Sequence, residues 1–534
     1  MPTAAFVVPR AVRRTVALAA ILTIALTVAI RLRLLSTPLE RDEGEYAYAG
    51  QLILSGALPY QSAYNMKLPG AYYVFAAAEA LFGQTDHGIH LALVVVNLCC
   101  CAGVFGLARR FLDVEASSSA AAAFALLSVS PAVLGTAFNA EHAVLLCAIP
   151  AAWCLVDAMR TGSRAKLAAS GLLFGAAIVM KQHAILLAAG GAIFAAASLA
   201  AGASPPRARL GRFALFAGTL AAPYAAVAAY FAAHGALGQF WFLTSVYARA
   251  YVSIHDVLRG MLRTPVGAHV GDNVPLSVLG AVGLVWILAA RGRRRTFAFV
   301  LVFAAASLAS VYPGFYFRPH YFVLVLPAAA LLCGAGVAAI ARAASRVRPA
   351  ARGALMAAVA LAPAAGFIAH YPALTFAWTP EMTSRQLYPD APFVEIREVA
   401  AYIDAHSTPT DTVANVGAEP ELLFYARRRS ASGFLYCYPL IEPQPYAAAM
   451  RRQWFDEIER ARPRFAVFSD SQDVWTGSPG QDDVMRWWAT FREGYEKVGV
   501  VNGVGSAAST AYFGDDPARL ATTTADVIEV WQRR

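Results

Sequence analysis

The sequence predicts a polytopic α-helical membrane protein of about eleven spanning helices plus juxtamembrane helices, followed by a C-terminal extracytoplasmic α/β domain. Three observations carry this. Of 534 residues, 58% are hydrophobic and only 15% are charged, where a soluble chain carries about a quarter charged residues. The apolar residues gather between Thr15 and His370 in runs of about 17–22, each long enough to cross a hydrocarbon core of about 30 Å. From Tyr371 onward the composition is that of an ordinary water-soluble domain. The expected domains are therefore 1–370, a membrane body, and 371–534, a small extracytoplasmic domain.

Spans are expected near 15–31, 88–108, 116–134, 141–157, 168–181, 184–201, 212–233, 274–290, 296–312, 321–341 and 352–370. The first follows Arg10, Arg13 and Arg14 and runs into Arg31 and Arg33 without a small-residue cleavage site, so it reads as a retained signal anchor. With the N-terminus in the cytoplasm, the inside loops hold nineteen Lys and Arg residues, including Arg291, Arg293, Arg294 and Arg295. The longer outside segments hold nine: Arg31, Arg33, Arg41, Lys67, Lys181, Arg249, Arg259, Arg263 and Arg318. This bias is the positive-inside rule, and an odd number of spans then places 371–534 outside. Leu68–Gly83 is apolar but short and contains Glu79. It reads as a juxtamembrane helix, because counting it as a span would turn every later arginine cluster outward.

Several function classes lose support. The net charge of +10 is explained by topology-setting arginines, so no nucleic-acid partner is expected. Six of the seven cysteines lie in apolar runs, which leaves Cys437 as the sole cysteine of the outer domain, with no internal disulfide and no zinc spacing there. No P-loop or dinucleotide glycine fingerprint is present. A transporter of lipid-linked substrate and a non-catalytic envelope assembly protein stay as alternatives, although the spans show no related halves of the kind common in transporters.

The outer domain reads as alternating helices and strands. Helices fit 392–406, 419–426, 446–460 and 482–491, and strands fit 412–416, 465–468, 498–501 and 511–513. The pattern suggests a small three-layer sheet domain.

The stretch with most chemistry follows the first span: Leu39-Glu40-Arg41-Asp42-Glu43-Gly44-Glu45-Tyr46. On composition alone two readings stand. A carboxylate beside apolar walls gains basicity and can take a proton from a hydroxyl; alternatively, the acids are solvated and favour a helix N-terminus. Further on come Lys67-Leu68-Pro69-Gly70 and, at the head of the fourth expected span, Asn139-Ala140-Glu141-His142.

These motifs resemble the GT-C glycosyltransferase superfamily, in its bacterial branch similar to protein O-mannosyltransferases and lipid A aminoarabinose transferases. In that pattern an Asp-Glu pair follows the first span, then a Tyr, then a juxtamembrane Lys-x-Pro; here these are Asp42-Glu43, Tyr46 and Lys67-Leu68-Pro69. The resemblance spans roughly 15–345 in layout. It implies a membrane glycosyltransferase that moves a sugar, with inversion, from a polyprenyl-phosphate donor to a hydroxyl acceptor at the outer face of the cell membrane. Asp42 is implied as general base, with Glu43 beside it, and Lys67 as holder of the donor phosphate. Glu141, Glu45 and Tyr46 are implied to orient the acceptor or a metal. A divalent cation (Mg or Mn) is left open, with Asp42 and Glu141 as its candidate ligands. The chain departs from the aminoarabinose-transferase pattern at Glu45, where an arginine is usual, which disfavours a phosphorylated lipid acceptor.

Two further cation sites are candidates for the donor phosphate. Lys181, in Lys181-Gln182-His183, reads either as a turn whose lysine snorkels to water or as a cation for the leaving phosphate. In Tyr316-Phe317-Arg318-Pro319-His320, Arg318 offers a planar fork for phosphate oxygens, and His320 either bonds phosphate or caps the span. Trp241, Phe242, Tyr247 and Tyr251 read as an interfacial helix, His87, His90 and His142 as span-end residues, and Arg427-Arg428-Arg429 as a solvated helix end.

Overall fold

The computed structural model describes residues 10–252, 271–470, 474, 475, 477 and 480–534; Arg259 and Arg263 lie outside the described residues. The chain folds as two compact units, each built from separated stretches. The first is Met1–Arg33, Leu93–Val227 and Val257–Ala377; the second is Leu34–Ala92, Ala228–Asp256 and Trp378–Arg534.

Each expected span coincides with a helix. In chain order these are α1 (Arg10–Arg33), then α4 (Asp86–Ala108), α5 (Val114–Ser128), α6 (Ala140–Thr161), α7 (Arg164–Met180), α8 (Ala184–Ala200) and α9 (Pro206–Ala233). They continue with Val274–Leu288, Ala298–Ala309, Leu326–Ala343 and Pro349–His370. Among the described residues, six helical stretches are long and apolar enough to cross a membrane by themselves. Others stop short for local reasons. α5 begins at Asp113, whose carboxylate accepts from Ala116 N at 2.9 Å, and ends before the 3₁₀ turn Pro131–Val133. α7 begins on the Ser163 cap and stops where Lys181 turns extended.

Arg31 and Arg33 belong to the last turn of α1 rather than to a loop. Basic residues suit that end of a helix. The Arg31 guanidinium is buried and donates to the carbonyls of Gly135 at 2.6 Å and Ser128 at 2.5 Å. Small residues let helices of this unit touch backbone to backbone. A Cβ on Gly283 would lie 2.0 Å from Leu332 O, and one on Gly336 2.1 Å from Leu279 O.

The second unit opens with α2 (Arg41–Leu54) and α3 (Gly70–Phe82). α3 has 13 residues, about 20 Å, too short for a hydrocarbon core, as its juxtamembrane reading requires. Its Glu79 is buried against Gly50, and burial pushes that carboxyl up to about 9.

The C-terminal part of this unit sets helices, among them Ile396–Ala405, Ala447–Ala461 and Gln481–Phe491, with a six-stranded sheet in the order β2-β1-β3-β6-β4-β5. β1 (Thr412–Val416), β2 (Arg429–Ser430) and β3 (Phe465–Asp470) run parallel. β6 (Val527–Arg533) pairs antiparallel with both β3 and β4 (Tyr495–Asn502), and β5 (Thr510–Phe513) closes the edge. The expected strands are present. β2 and the central strand β6 were not foreseen. Glu529, paired with Lys497 at 2.5 Å, interrupts the apolar pattern of β6.

Two expectations need correction here. Arg428 is not solvated: it is buried, ion-paired with Asp404 at 2.9 Å, and donates to the carbonyls of Asp404 and Ser407. Aromatic residues of the 241–251 stretch also do more than lie at an interface. Tyr247 is buried in the core around Trp454 and Trp488, and Phe242 packs edge-on against Tyr446 at 5.2 Å. Trp241 stays exposed.

The carboxyl end of β1 leads into Gly417–Glu421, and this turn and the helix Glu421–Ala426 grip α2. Arg41 Nε donates to Ala418 O at 2.7 Å, Gln51 to Phe424 O at 3.1 Å, and Ser430 N to Tyr48 Oη at 2.7 Å. Gly44 permits the closest approach, since a Cβ there would lie 2.5 Å from Glu421 Cβ. Glu421 is fully buried. Burial, then the neighbouring Glu419, raises its carboxyl well above the usual range, against the pull of Arg41.

Two outcomes follow. Gly44→Ala should destabilise the second unit by about 1–3 kcal/mol, the usual result of forcing atoms into a packed contact, measured by thermal unfolding in nanodiscs. A carboxyl raised by folding contributes stability below the unfolded carboxylate range and loses it as pH rises toward the folded value. Glu421→Gln should therefore raise the unfolding midpoint more at pH 8 than at pH 5; equal shifts at both pH values would show that Glu421 is not held protonated.

Candidate functional site

The first turn of α2 sorts its acids by helical geometry. Glu40 is the N-cap: its oxygens accept from Glu43 N at 3.2 Å and Asp42 N at 3.1 Å, while Glu43 Oε2 accepts from Glu40 N at 3.3 Å. This reciprocal capping box fixes the helix start. Burial, then the charges of Asp42 and Glu43, raises the Glu40 carboxyl well above its usual range. Glu43 turns inward to His90, with Nε2 to Oε1 at 3.1 Å, and His90 Nδ1 lies 2.8 Å from Leu35 O.

Asp42, Glu45 and Tyr46 stand at i, i+3 and i+4 and share another face. That face meets Lys67. Its Nζ lies 2.9 Å from Asp42 Oδ1 and 2.6 Å from Glu45 Oε2, and 4.4 Å from the centre of the Tyr46 ring. The Lys67 backbone is fixed in turn. Its N–H donates to Asn65 Oδ1 at 3.1 Å, and Tyr60 Oη donates to its carbonyl at 2.8 Å. Glu45 also accepts from Tyr72 Oη at 2.9 Å and from Tyr436 Oη. Burial opposes the charge on Lys67, but the Asp42 and Glu45 carboxylates together outweigh it and raise the ammonium well above its ordinary value. Burial, then Glu45, likewise raises the Tyr436 phenol.

Exposure separates these groups. The side chains of Glu43 and Glu45 are each 1% exposed, against 26% for Asp42 and 15% for Lys67. Glu45, expected to orient an acceptor, has both oxygens engaged inside the protein. Tyr46 is buried and forms the ring beneath Lys67.

The remaining candidates lie in the first unit. Glu141 stands in the first turn of α6, and its Oε1 meets Lys181 Nζ at 2.5 Å. Both are buried, and Lys181 lies 4.4 Å from the centre of the Tyr321 ring. Lys181 is thus a paired interior charge and not a snorkelling one. His320 is buried with its ring 4.9 Å from that of Tyr321, whereas Arg318 is exposed and lies over Tyr316 at 5.9 Å.

Sequence reasoning missed His90, Tyr72 and Tyr436 as parts of the site. His90 lay in view as a span-end residue; Tyr436 is 391 positions from its partner, and no local pattern signals it. Among the described residues no three His, Cys, Asp or Glu side chains gather as a ligand set. Asp42 and Glu141 each face an ammonium, Asp42 that of Lys67 and Glu141 that of Lys181.

Residues 66–224 match the family model described as dolichyl-phosphate-mannose-protein mannosyltransferase. ArnT from Cupriavidus metallidurans, bound to undecaprenyl phosphate, is similar over 96% of this chain and 97% of its own, at 16% identity and a TM-score of 0.61. The archaeal oligosaccharyltransferase AglB from Archaeoglobus fulgidus, in complex with an inhibitory peptide and a dolichol-phosphate, is similar over 94% of this chain and 75% of its own, at 11% identity and a TM-score of 0.51. No curated protein sequence matches the chain. With apolar helices throughout its first unit and a likeness that runs nearly end to end, the chain is a multi-pass membrane protein with the GT-C glycosyltransferase fold.

Proposed function

We propose that this protein transfers a sugar from a polyprenyl-phosphate carrier to a hydroxyl acceptor at the outer face of the membrane, with Asp42 as general base. The observation that carries this reading is the selective exposure of Asp42 among the four acids of the motif, with its carboxylate 2.9 Å from a fixed ammonium. A base must reach its substrate's proton, and three of the four carboxylates are occupied inside the fold. The polyprenyl phosphates named with ArnT and AglB support the donor class.

In the proposed step, the acceptor hydroxyl gives its proton to Asp42 as its oxygen attacks the anomeric carbon. The bond from that carbon to the phosphate oxygen breaks, and the electron pair leaves with the polyprenyl phosphate. A single displacement inverts the anomeric centre. Lys67 meets the negative charge that grows on the leaving phosphate, where a preorganised cation has its largest effect. Arg318, Lys181 and His320 are proposed as further donor-phosphate residues, and Glu141 holds Lys181 through their 2.5 Å ion pair. Glu43, tied to His90, keeps the first turn of α2 in register. The arginine distribution favours a cytoplasmic N-terminus and an extracytoplasmic C-terminal domain.

Purified protein in nanodiscs, given a panel of radiolabelled polyprenyl-phosphate sugars, should release or transfer label from one of them. Asp42→Asn should lower turnover by about 10²–10⁴-fold, the range for loss of a general base, with an unchanged unfolding midpoint. Full turnover in that variant would remove Asp42 from the role. Lys67→Ala should lose donor binding as well as turnover; donor binding equal to the parent's would remove Lys67 from the phosphate site.

A further inference from the structure

We propose that Glu45 is a resident counter-ion for Lys67, held by Tyr72 and Tyr436, so that an arriving donor phosphate displaces Asp42, and not Glu45, from the ammonium. This rests on the functional reading above and deepens it: donor binding would itself release the base.

The argument starts from donor capacity. A lysine ammonium has three N–H donors. Here it faces Asp42 at 2.9 Å, Glu45 at 2.6 Å and the Tyr46 ring at 4.4 Å, so a phosphate oxygen reaches it by replacing a partner. The two carboxylates are not equally replaceable. Glu45 is buried and takes hydrogen bonds from Lys67, from Tyr72 on α3, and from Tyr436 in the C-terminal part of the chain. Removing an anion from three donors in a site closed to water carries the full cost of desolvated, unpaired groups. Asp42 is 26% exposed and can exchange Lys67 for water. Once Lys67 turns to phosphate, the Asp42 carboxylate loses an adjacent positive charge and becomes the stronger base.

The arrangement also sets the charge that the donor meets. Asp42, Lys67 and Glu45 together carry one net negative charge, which opposes an anionic ligand. Tyr436 donates to Oε2, the same Glu45 oxygen that Lys67 contacts, and so competes with the lysine for it. Tyr436 and Glu45 are thus positioning residues that act on the donor through Lys67, and their substitutions should move donor affinity in opposite directions.

Undecaprenyl phosphate binding to the full chain in nanodiscs tests this, together with the pH profile of kcat/KM for a donor the parent uses. Glu45→Gln removes the standing negative charge and should tighten binding by about tenfold, the scale of one lost charge contact. It should also lower kcat and move the acid limb of the profile to lower pH, because Asp42 loses a like charge. Tyr436→Phe leaves Oε2 to Lys67 and should weaken binding by about two- to fivefold, a share of one hydrogen bond. Weaker or unchanged binding in Glu45→Gln, or tighter or unchanged binding in Tyr436→Phe, overturns the proposal. Should Glu45→Gln fail to fold, Tyr436→Phe decides alone by the same criterion. A parent that binds no undecaprenyl phosphate would bring down the functional reading and this inference with it. A parent that binds, with the signs reversed in the variants, would bring down only the counter-ion role.

Discussion

The ammonium of Lys67 between Asp42 and Glu45 is the interaction on which the second unit's chemistry depends. A lysine that is largely withdrawn from water needs compensating charge nearby, and two carboxylates supply it from one face of α2. To stand there, α2 must start at a fixed residue, which the Glu40 capping box ensures. It must also lie against the Glu421–Ala426 helix, which the missing side chain of Gly44 allows. The geometry at Lys67 is thus a product of a helix cap, a glycine contact and a turn at the end of β1.

The cluster of acids after the first span looks in sequence like one feature and is two. Residues one apart on a helix point about 100° apart, so Glu43 and Asp42 face different neighbours despite being adjacent. Glu40 and Glu43 serve the helix start and His90; Asp42 and Glu45 serve Lys67. Within the second pair, burial divides them again, which leaves Asp42 as the accessible member.

Much of this was legible from the residues. Each apolar run became a helix, because a chain in hydrocarbon must satisfy its own backbone. The strands at 412–416, 465–468, 498–501 and 511–513 were legible because their apolar residues stand between clear turn signals. The exact ends were not, since caps such as Asp113 and Ser163 act over a few residues that hydropathy averages away. Arg428 misled because a buried arginine is made tolerable by carbonyls that only the tertiary fold brings to it. In the site, Asp42 and Lys67 were marked by a local motif. Tyr436 and the role of Glu45 were not, because each is defined by a partner remote in the chain.

The hydrogen bond between Tyr436 and Glu45 closes a loop of 391 residues. Ribosomes elongate at about 5–20 residues per second, so α2 is made some tens of seconds before the segment that completes its surroundings. Throughout that interval Lys67 and its two carboxylates stand without Tyr436 and without the grip of Gly417–Ala426. Maturation of the site is therefore a late event of biogenesis, set by arrival of the carboxyl-terminal third and not by insertion of the first helix.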